Sequence, residues 1–504
     1  MHRSKRLLIL VGVLAVVCAA AFLATRVQEQ QEQVEASGET VLAIDAGNVA
    51  SLAWTSGEAE YAFHKDGTWI YDADEAFPVS AEALEELLAP FSSFNAAFVI
   101  RDVTDYAQYG LEEPECTIEI GTADASYTIA LGDMSAMDDQ RYVSIGDGNV
   151  YLAVTDPMDA FAVELSDLID NDEIPQMDTV TALSLTGAVE ETIAYVEAGG
   201  PSYSDEDVYF LQSGEESLPL DTDLVEDYLG GIRDLVLTDY ATYNATEIEL
   251  ASFGLNDPAL TVTVEYEQQA EAAEEGAEPE TTAGALALHI GRVEEAAEES
   301  AEETEESAED ISQEEAQYAY YLRVGDSQIV YNLSDADGEA LFAGSYDDLR
   351  HRQLFWGDFD DVAQATILLD NQTYTLTAQT AETAETGEDA DAAAGSAEPT
   401  AAAAAEEDAE ITWTCNGEPV DVTGIRDKLA ALTAEAFTEE APADQLEISL
   451  TLDLNDEDVP QVRIQLYRYD GASCLAVLDG EPAALVARED VVDLMEAVCT
   501  LLLG

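Results

Sequence analysis

The sequence predicts an α+β protein made of tandem repeated modules of antiparallel strands, each with one amphipathic helix, behind an N-terminal transmembrane helix. Three observations support this prediction. A turn of the form aromatic-Gly-Leu-x-x-Pro occurs twice, short segments with alternating apolar residues recur around it, and the chain opens with a basic flank and a long apolar run. Alternation is typical of half-buried strands, whereas apolar residues three and four apart are typical of a helix.

The N-terminal segment has the pattern of a signal anchor. The uncharged run of 18 residues from Leu7 to Ala24 follows a basic tail. As a helix it would span roughly 27 Å, close to the thickness of the hydrocarbon layer. Basic residues favour the cytoplasmic side, so we expect the bulk of the chain to be extracytoplasmic. We assign residues 1–6 to a cytoplasmic tail, 7–25 to a single-pass membrane anchor and 26–40 to a polar stalk; a cleaved signal peptide and a lipid anchor on Cys18 are the alternatives.

The turn motif marks the second half of two modules. Its residues are Tyr109, Gly110, Leu111 and Pro114 in the first copy and Phe253, Gly254, Leu255 and Pro258 in the second. Four short alternating strands follow each turn, and Gly132 then corresponds to Gly291 in the strands. The aromatic residue is expected to plug the turn, while the next glycine supplies a permissive backbone conformation. A third copy keeps the strands and lacks the turn.

An amphipathic helix stands in the first half of each copy. The three helices are predicted to begin near Ser80, Thr222 and Thr423, whose hydroxyl groups are suitable N-cap acceptors. Their apolar stripes are Leu84, Leu87, Leu88 and Phe91, then Leu224, Val225, Tyr228 and Leu229, then Ile425, Leu429 and Leu432. Such a stripe is suited to pack on one face of a sheet.

The repeats define the domain organisation. Module 1 covers 41–166, module 2 covers 178–346 and module 3 covers 360–504. Module 2 is longer because of acidic inserts near 267–283 and 292–316, and an Ala/Glu-rich insert lies near 380–410 in module 3. Such segments bury too little apolar surface to offset their ordering entropy, so they are predicted to be disordered loops.

Composition restricts the partners. The chain has 17 Lys and Arg against 108 Asp and Glu, a formal net charge of −91. Nucleic acids are excluded as partners because their binding depends on basic residues that displace counterions from phosphates. The acidity is explained by solubility and self-repulsion; capture of cations or basic partners is the alternative.

The sequence contains no recognisable catalytic, cofactor or metal site. Motifs for zinc proteases, nucleophile elbows and nucleotide loops are absent. Asp453, Asn455 and Glu457 alternate as in a calcium loop, but Asp458 stands where glycine is needed. His64 is interpreted as a surface residue. His351, between two arginines, is expected to pair with nearby acid or to cap a helix, with ligand docking as the alternative.

Tryptophans and cysteines are interpreted as structural. Trp69 and Trp413 occupy similar strand positions and are predicted to be core anchors, with carbohydrate stacking as the alternative. Cys415 and Cys474 fall in one module, so two alternatives remain for them: a disulfide between the two, or buried free thiols.

Four stretches together resemble a known family: DGTWIYD, VTDYAQYGLEEP, IALGD and YVSIGDGNVYLAV. They are similar to the domain of unknown function 4340, in which a Tyr-Gly-Leu-x-x-Pro turn precedes strands ending in Ile-Gly, behind an N-terminal membrane segment. The resemblance is close over about 60–165, good in the second half of copy two and faint in copy three. Members of that family often occur beside components of ABC-type transport systems, which implies an exported accessory role.

These observations favour a noncatalytic scaffold or binding accessory of the bacterial cell envelope, associated with subunits of an ABC-type transporter or with other envelope proteins. We expect it not to be an enzyme and to need no cofactor. The alternative is a carboxylate-dependent hydrolase that acts on envelope glycans.

Overall fold

The computed structural model describes residues 39–57, 59–136, 139–214, 216–269, 281–294, 317–380, 411–443, 445–456 and 459–503. The predicted tail, the anchor, nearly all of the stalk and most of the three inserts lie outside these ranges. In the part that is described, no helix combines the length and the apolar character needed to cross a bilayer.

The chain divides into two compact units. Unit 1 consists of residues up to Glu173 together with Leu237–Thr246 and Ser327–Tyr331. Unit 2 consists of Ile174–Val236, Glu247–Asp326 and the residues from Asn332 onward. The predicted module 3 and most of the predicted module 2 therefore belong to one unit.

Module 1 forms a nine-stranded sheet. Its strands are β1 (Glu39–Leu42), β2 (Val49–Ser56), β3 (Ala59–Asp66), β4 (Thr68–Tyr71), β5 (Phe94–Ile100), β6 (Cys116–Thr122), β7 (Ser126–Met134), β8 (Arg141–Ser144) and β9 (Val150–Ala153). Its helices are α1 (Ala81–Ser92) and α2 (Met158–Phe161), with 3-10 turns at Ala46–Asn48, Ala107–Tyr109 and Leu165–Leu168.

Module 2 forms a second nine-stranded sheet. Its strands are β10 (Thr179–Gly187), β11 (Glu191–Tyr195), β12 (Tyr209–Ser213), β13 (Glu216–Pro219), β14 (Tyr240–Thr242), β15 (Leu260–Gln269), β16 (Thr281–Glu294), β17 (Tyr318–Val324) and β18 (Val330–Leu333). Its helices are α3 (Thr222–Arg233), α4 (Glu247–Ser252), α5 (Asp335–Phe342) and α6 (Tyr346–Leu349).

Module 3 forms the third. Its strands are β19 (Val362–Leu369), β20 (Gln372–Thr380), β21 (Ile411–Cys415), β22 (Glu418–Val420), β23 (Ala434–Phe437), β24 (Leu446–Leu454), β25 (Gln461–Arg468), β26 (Ser473–Leu478) and β27 (Glu481–Ala487). Its helices are α7 (Thr423–Ala430) and α8 (Arg488–Leu503), after a 3-10 turn at Phe359–Asp361.

The three antiparallel sheets share one strand order. From the same edge, module 2 runs β14-β18-β17-β16-β15-β10-β11-β12-β13 and module 3 runs β23-β27-β26-β25-β24-β19-β20-β21-β22. Module 1 runs β5-β9-β8-β7-β6-β2-β3-β4, with β1 added beyond β5; among the described residues β4 is its last strand on the other side. In each copy the first meander leads to one edge, the helix leads to the opposite edge, and a second meander begins beside the first strand. The predicted repetition is confirmed.

The predicted fold class is correct at the level of repeated antiparallel sheets with some helices, and two details are wrong. Each module contains more than one helix, because a second helix follows the last strand. Each also contains a strand after the main helix that the sequence did not reveal. These strands, β5, β14 and β23, lie beside the last strand of their sheet rather than beside the meander that follows them.

The predicted apolar stripe is fully buried in α1 and partly buried in α3. In α3, Val225 and Leu229 are buried together with Ile232, which was not predicted, whereas Leu224 and Tyr228 are half-buried. In α7, Ile425 and Leu429 are buried, and Leu432 is buried just beyond the end of the helix. The N-cap prediction holds for Ser80, whose hydroxyl accepts from the Ala83 N–H at 3.2 Å. It is wrong for the other two helices, since the carboxylates of Asp221 and Asp421 accept the first free N–H groups there.

The acidic inserts begin later than their composition indicates. In the hairpin of β15 and β16, Glu267 pairs with Ala283 and Gln269 with Thr281, so the ladder continues into the margins of the first insert. Likewise, Glu294 pairs with Tyr318 at the margins of the second. Backbone pairing therefore continues past the last residues that contribute to the core.

The cysteines of the described part are free thiols. Cys415 lies on β21 and Cys474 on β26, five strands apart in one sheet. At about 4.8 Å per strand this is about 24 Å, whereas a disulfide needs Cα atoms within about 7 Å. The possible Cys415–Cys474 disulfide is therefore wrong.

This arrangement predicts a simple labelling pattern. Cys499 is exposed, whereas burial raises the thiol pKa of Cys116 and of Cys474 to about 11. Because the thiolate is the reactive form, a Cys18→Ser chain at pH 7.5 should react rapidly with a maleimide at Cys499 alone. Mass spectrometry of the labelled peptides should find all four sites modified only after denaturation; rapid native labelling of Cys116 would contradict the buried arrangement.

Candidate functional site

The turn motif has the same backbone geometry in both copies. Gly110 and Gly254 adopt left-handed φ angles of 68° and 71° at the end of a helical turn. The next residue closes each turn: Leu111 N–H donates to the Tyr106 carbonyl at 3.1 Å, and Leu255 N–H donates to the Leu250 carbonyl at 2.8 Å. Since Leu111 and Leu255 are both buried, the motif ends a helical turn and inserts a leucine into the core.

A second glycine in each copy lets this turn approach the sheet. A Cβ at Gly132 would stand 2.2 Å from the Tyr109 carbonyl oxygen, and one at Gly291 would stand 1.9 Å from that of Phe253. Both distances are shorter than any non-bonded contact, so only glycine fits. The aromatic residue of the turn then packs on a tyrosine of the neighbouring strand, with ring centroids 4.9 Å apart for Tyr109–Tyr142 and 4.6 Å for Phe253–Tyr321. The motif is therefore a packing device.

A buried polar cluster of unit 2 surrounds Asp207, whose residue surface is only 2% exposed. Its two carboxylate oxygens lie 2.9 and 3.0 Å from His351 Nε2. The Ser202 hydroxyl and the Trp356 indole N–H also donate to this carboxylate, the latter at 3.0 Å. Asp207 and Ser202 precede β12 of module 2, whereas His351 and Trp356 lie on the connection to module 3. We call Ser202, Asp207, His351 and Trp356 the Asp207 clamp.

The clamp continues through ring stacking into module 3. The His351 and Trp356 rings stack with centroids 4.4 Å apart and planes 10° apart, and Tyr203 packs on Trp356 at 4.2 Å. The Tyr203 hydroxyl donates to Asp479 of module 3 at 2.7 Å. Burial, followed by this hydrogen bond, raises the pKa of Tyr203 far above its usual value, so the hydroxyl stays protonated and continues to donate.

The clamp contains serine, histidine and aspartate, but its geometry differs from that of a hydrolytic triad. In a triad, histidine lies between serine and aspartate and receives the serine proton. Here Asp207 is central, and both Ser202 and His351 bond to it. The second ring nitrogen of His351 lies 3.5 Å from Asp221 instead of facing a nucleophile. The arrangement satisfies a buried carboxylate and joins two modules.

The clamp accounts for the basic cluster at 350–352. His351 pairs with acid, as predicted. Arg350 forms an ion pair with Asp347 at 2.9 Å and lies over the Phe437 ring of module 3, with its guanidinium carbon 3.4 Å from the ring centroid. The cation–π contact thus adds to the attachment of module 3, while the ion pair fixes Arg350 on its own side of the connection.

An acidic cleft of about 450 Å³ adjoins the clamp. Tyr203 and Trp356 contribute aromatic surface to its lining, and Asp205, Asp358, Asp361 and Asp456 contribute carboxylates. The pKa of Asp361 is raised, first by burial and then by the charges of Asp358, Asp205, Asp360 and Asp456. This is the one place in the described residues of unit 2 where a carboxyl group with a raised pKa lines a cavity beside aromatic rings.

Comparison with known families assigns part of the chain to one of them. The model of a domain of unknown function (DUF4340) matches residues 69–241. This stretch is a DUF4340 domain. Neither the comparison with curated proteins nor that with solved structures gave a match.

The DUF4340 match crosses the module boundary. It begins at Trp69 in β4 and ends in β14, the edge strand after the main helix of module 2. It therefore contains the second half of module 1 and the first half of module 2. Ser202 and Asp207 lie inside the DUF4340 domain, whereas their partners His351 and Trp356 lie beyond it.

The remaining residues singled out in the sequence do not meet at one site. His64 is about half exposed and pairs with Asp72. Asp453 accepts from Gln364 and Gln461, and Glu457 lies outside the described residues.

The tryptophans separate into two groups. Trp54, Trp69 and Trp413 are buried in the cores, as predicted for Trp69 and Trp413, and Trp356 belongs to the clamp. Sequence reasoning missed Asp207, the residue that gathers the cluster. The isolated basic triplet around His351 was the one available signal.

Proposed function

We propose that this chain is a noncatalytic scaffold of the bacterial cell envelope, held by a single-pass anchor with its modules outside the membrane, and that it serves an ABC-type transporter. The observation that carries the proposal is the recurrence of one strand order in three sheets. Repeated modules joined by buried contacts are typical of proteins that present surfaces to partners.

The clamp supports a scaffold role. Its histidine and its buried carboxylate are saturated by one another and by neighbouring donors, which leaves them engaged in joining modules 2 and 3. The acidity of the chain keeps nucleic acids and anionic surfaces away from these modules. Basic protein segments are the partners that such a surface attracts.

The proposal is tested by chemical crosslinking in intact cells, followed by capture of the full chain from membranes. We expect the chain in the membrane fraction, its modules to be degraded by protease added outside the cytoplasm, and recovery of transporter subunits. The control is a chain in which residues 7–25 are replaced by a cleavable export signal; it should be released and recover no transporter. A cytosolic, protease-resistant chain would overturn the location, and a membrane chain that recovers no transporter subunit would overturn the role.

The acidic cleft favours a second candidate, a hydrolase acting on envelope glycans. A carboxyl group with a raised pKa can act as a general acid, and aromatic rings stack on sugars. If this candidate is right, the full chain should release reducing ends from purified envelope glycans. Asp361→Asn should abolish the release, whereas Asp360→Asn, at the half-exposed neighbouring residue, should leave it nearly unchanged. Absence of glycan cleavage by the unsubstituted chain would eliminate the candidate.

A further inference from the structure

Modules 1 and 2 each place a short turn against the start of their main helix. Ser80, the N-cap of α1, donates its N–H to the Leu168 carbonyl at 2.9 Å, and Asp221, the N-cap of α3, donates its N–H to the Leu349 carbonyl at 2.9 Å. Leu168 and Leu349 are themselves 1% and 2% exposed. The same contact therefore closes both modules, with a leucine as its apolar anchor.

The two docked turns have the same chemistry. Each begins with a capping box, in which Asp167 accepts from the Glu164 N–H at 2.8 Å and Asp348 accepts from the Ser345 N–H at 3.1 Å. The leucine follows the aspartate directly. The sequences ELSDL and SYDDL thus share the pattern Glu/Ser-x-x-Asp-Leu, a self-capped helical turn.

Module 3 has the receiving position and lacks the turn. Ile425 and Leu429 of α7 correspond to Val225 and Leu229 of α3, which places Asp421 at the position of Asp221. Within the described residues, Asp421 N–H has no counterpart of the bond to Leu349. The last strand instead continues directly into α8, which extends for 16 residues without folding back.

The straight helix leaves a groove of about 960 Å³ beside the start of α7. Val420, Gly424 and Ile425 line one wall, and Ala497 and Leu501 line the other. A Cβ at Gly424 would stand 3.8 Å from the Ala497 Cβ, an ordinary van der Waals distance, so a methyl group added to this wall would just reach the opposite one.

We propose that this groove receives a self-capped helical turn of the pattern Glu/Ser-x-x-Asp-Leu from a partner protein. The occupant is identified by modules 1 and 2, which fill the equivalent position with such a turn. Within this chain, both copies of that turn are already docked in their own modules. Of the longer segments outside the described part, 270–280, 295–316 and 381–410 contain no leucine and 1–38 contains no aspartate, so none of them has the pattern. The inference does not depend on the proposed membrane location or on a transporter.

The test uses a fluorescein-labelled peptide with the sequence of residues 343–352, AGSYDDLRHR, which has balanced charges. Its anisotropy is measured on titration with the full chain at 150 mM salt. We expect saturable binding, and we expect the peptide with Leu349→Asp to lose it. Gly424→Arg should weaken binding by about tenfold or more, because a long charged side chain enters the groove. Ala430→Arg, on the same helix and outside the groove lining, should stay within about twofold.

Leu501→Gln alters the opposite wall and serves as an independent variant in case the Gly424→Arg chain does not fold. It should also weaken binding of the peptide. The proposal is overturned if the peptide does not bind saturably, or if both groove variants bind as well as the unsubstituted chain. Sedimentation of the unliganded chain tests whether a second copy of the chain occupies the groove instead. A dimer that Gly424→Arg dissociates would assign the groove to that second copy and would also overturn the proposal.

Discussion

Gly291→Ala should destabilise module 2 by about 3 kcal/mol or more, which is large for the addition of one methyl group. The new Cβ would lie 1.9 Å from the Phe253 carbonyl oxygen, a backbone atom that a rotamer change cannot move. Relief requires the turn to separate from β16, which would expose Leu255 and break the Phe253–Tyr321 ring contact. The same reasoning applies to Gly132→Ala in module 1, where the Tyr109 carbonyl oxygen is 2.2 Å away.

Gly230→Ala is the matched control. It lies in α3 of the same module with no neighbouring atom within 4 Å of an added Cβ, so it should stabilise the helix by roughly 0.5–1 kcal/mol. Because a chain of several modules need not unfold in one step, the readout is hydrogen exchange of the peptides covering 253–258 and 318–324. We expect these peptides to exchange faster in Gly291→Ala than in the unsubstituted chain, and no faster in Gly230→Ala. Equal exchange rates in the two variants would contradict the close approach of the turn to the sheet.

Asp207→Ala should cost about 3–5 kcal/mol, because it leaves His351, Ser202 and Trp356 without their shared acceptor in a buried place. The loss should be local: exchange should rise in 202–210 and in 350–357, while the core strands of module 1 stay protected. Combining Asp207→Ala with His351→Ala should cost much less than the sum of the two single effects, since both remove one interaction.

An exposed ion pair of the same unit supplies the control for the clamp. Arg426 lies 3.2 Å from Asp360, with both side chains about half exposed. Arg426→Ala should therefore change stability by less than about 1 kcal/mol. If Asp207→Ala were as mild as Arg426→Ala, the clamp would not hold the modules together.

Local sequence patterns were sufficient to predict the repeat and the main helices. The turn motif spans six residues, and the helix stripes follow from spacing alone, so both can be recognised without knowing the tertiary contacts. In modules 2 and 3 the strand after the main helix was missed because β14 has three residues and β23 has four, too few for alternation to appear. Their position is determined by pairing with β18 and β27, far along the chain.

The clamp could not be predicted for a related reason. Asp207 and His351 are 144 residues apart, and Asp207 is one acid among 108 in the chain. Nothing in its local sequence distinguishes the buried carboxylate from the solvated ones. The docking groove in module 3 is likewise recognised only by comparison with the other two modules. The sequence after β27 predicts one continuous helix and gives no sign that a docked turn is missing.

Cross-strand disulfide trapping tests the shared strand order most directly. In a chain whose native cysteines are replaced by serine, cysteine pairs are introduced at Ala53 and Glu119, at Ser184 and Thr263, and at Thr366 and Thr451, which are opposite neighbours on the first strands of the two meanders. We expect mild oxidation to link all three pairs within one chain, while a pair at Ser184 and Ala287, two strands apart, stays reduced. Failure of any one of the three to link, with the other two forming, would contradict a common topology.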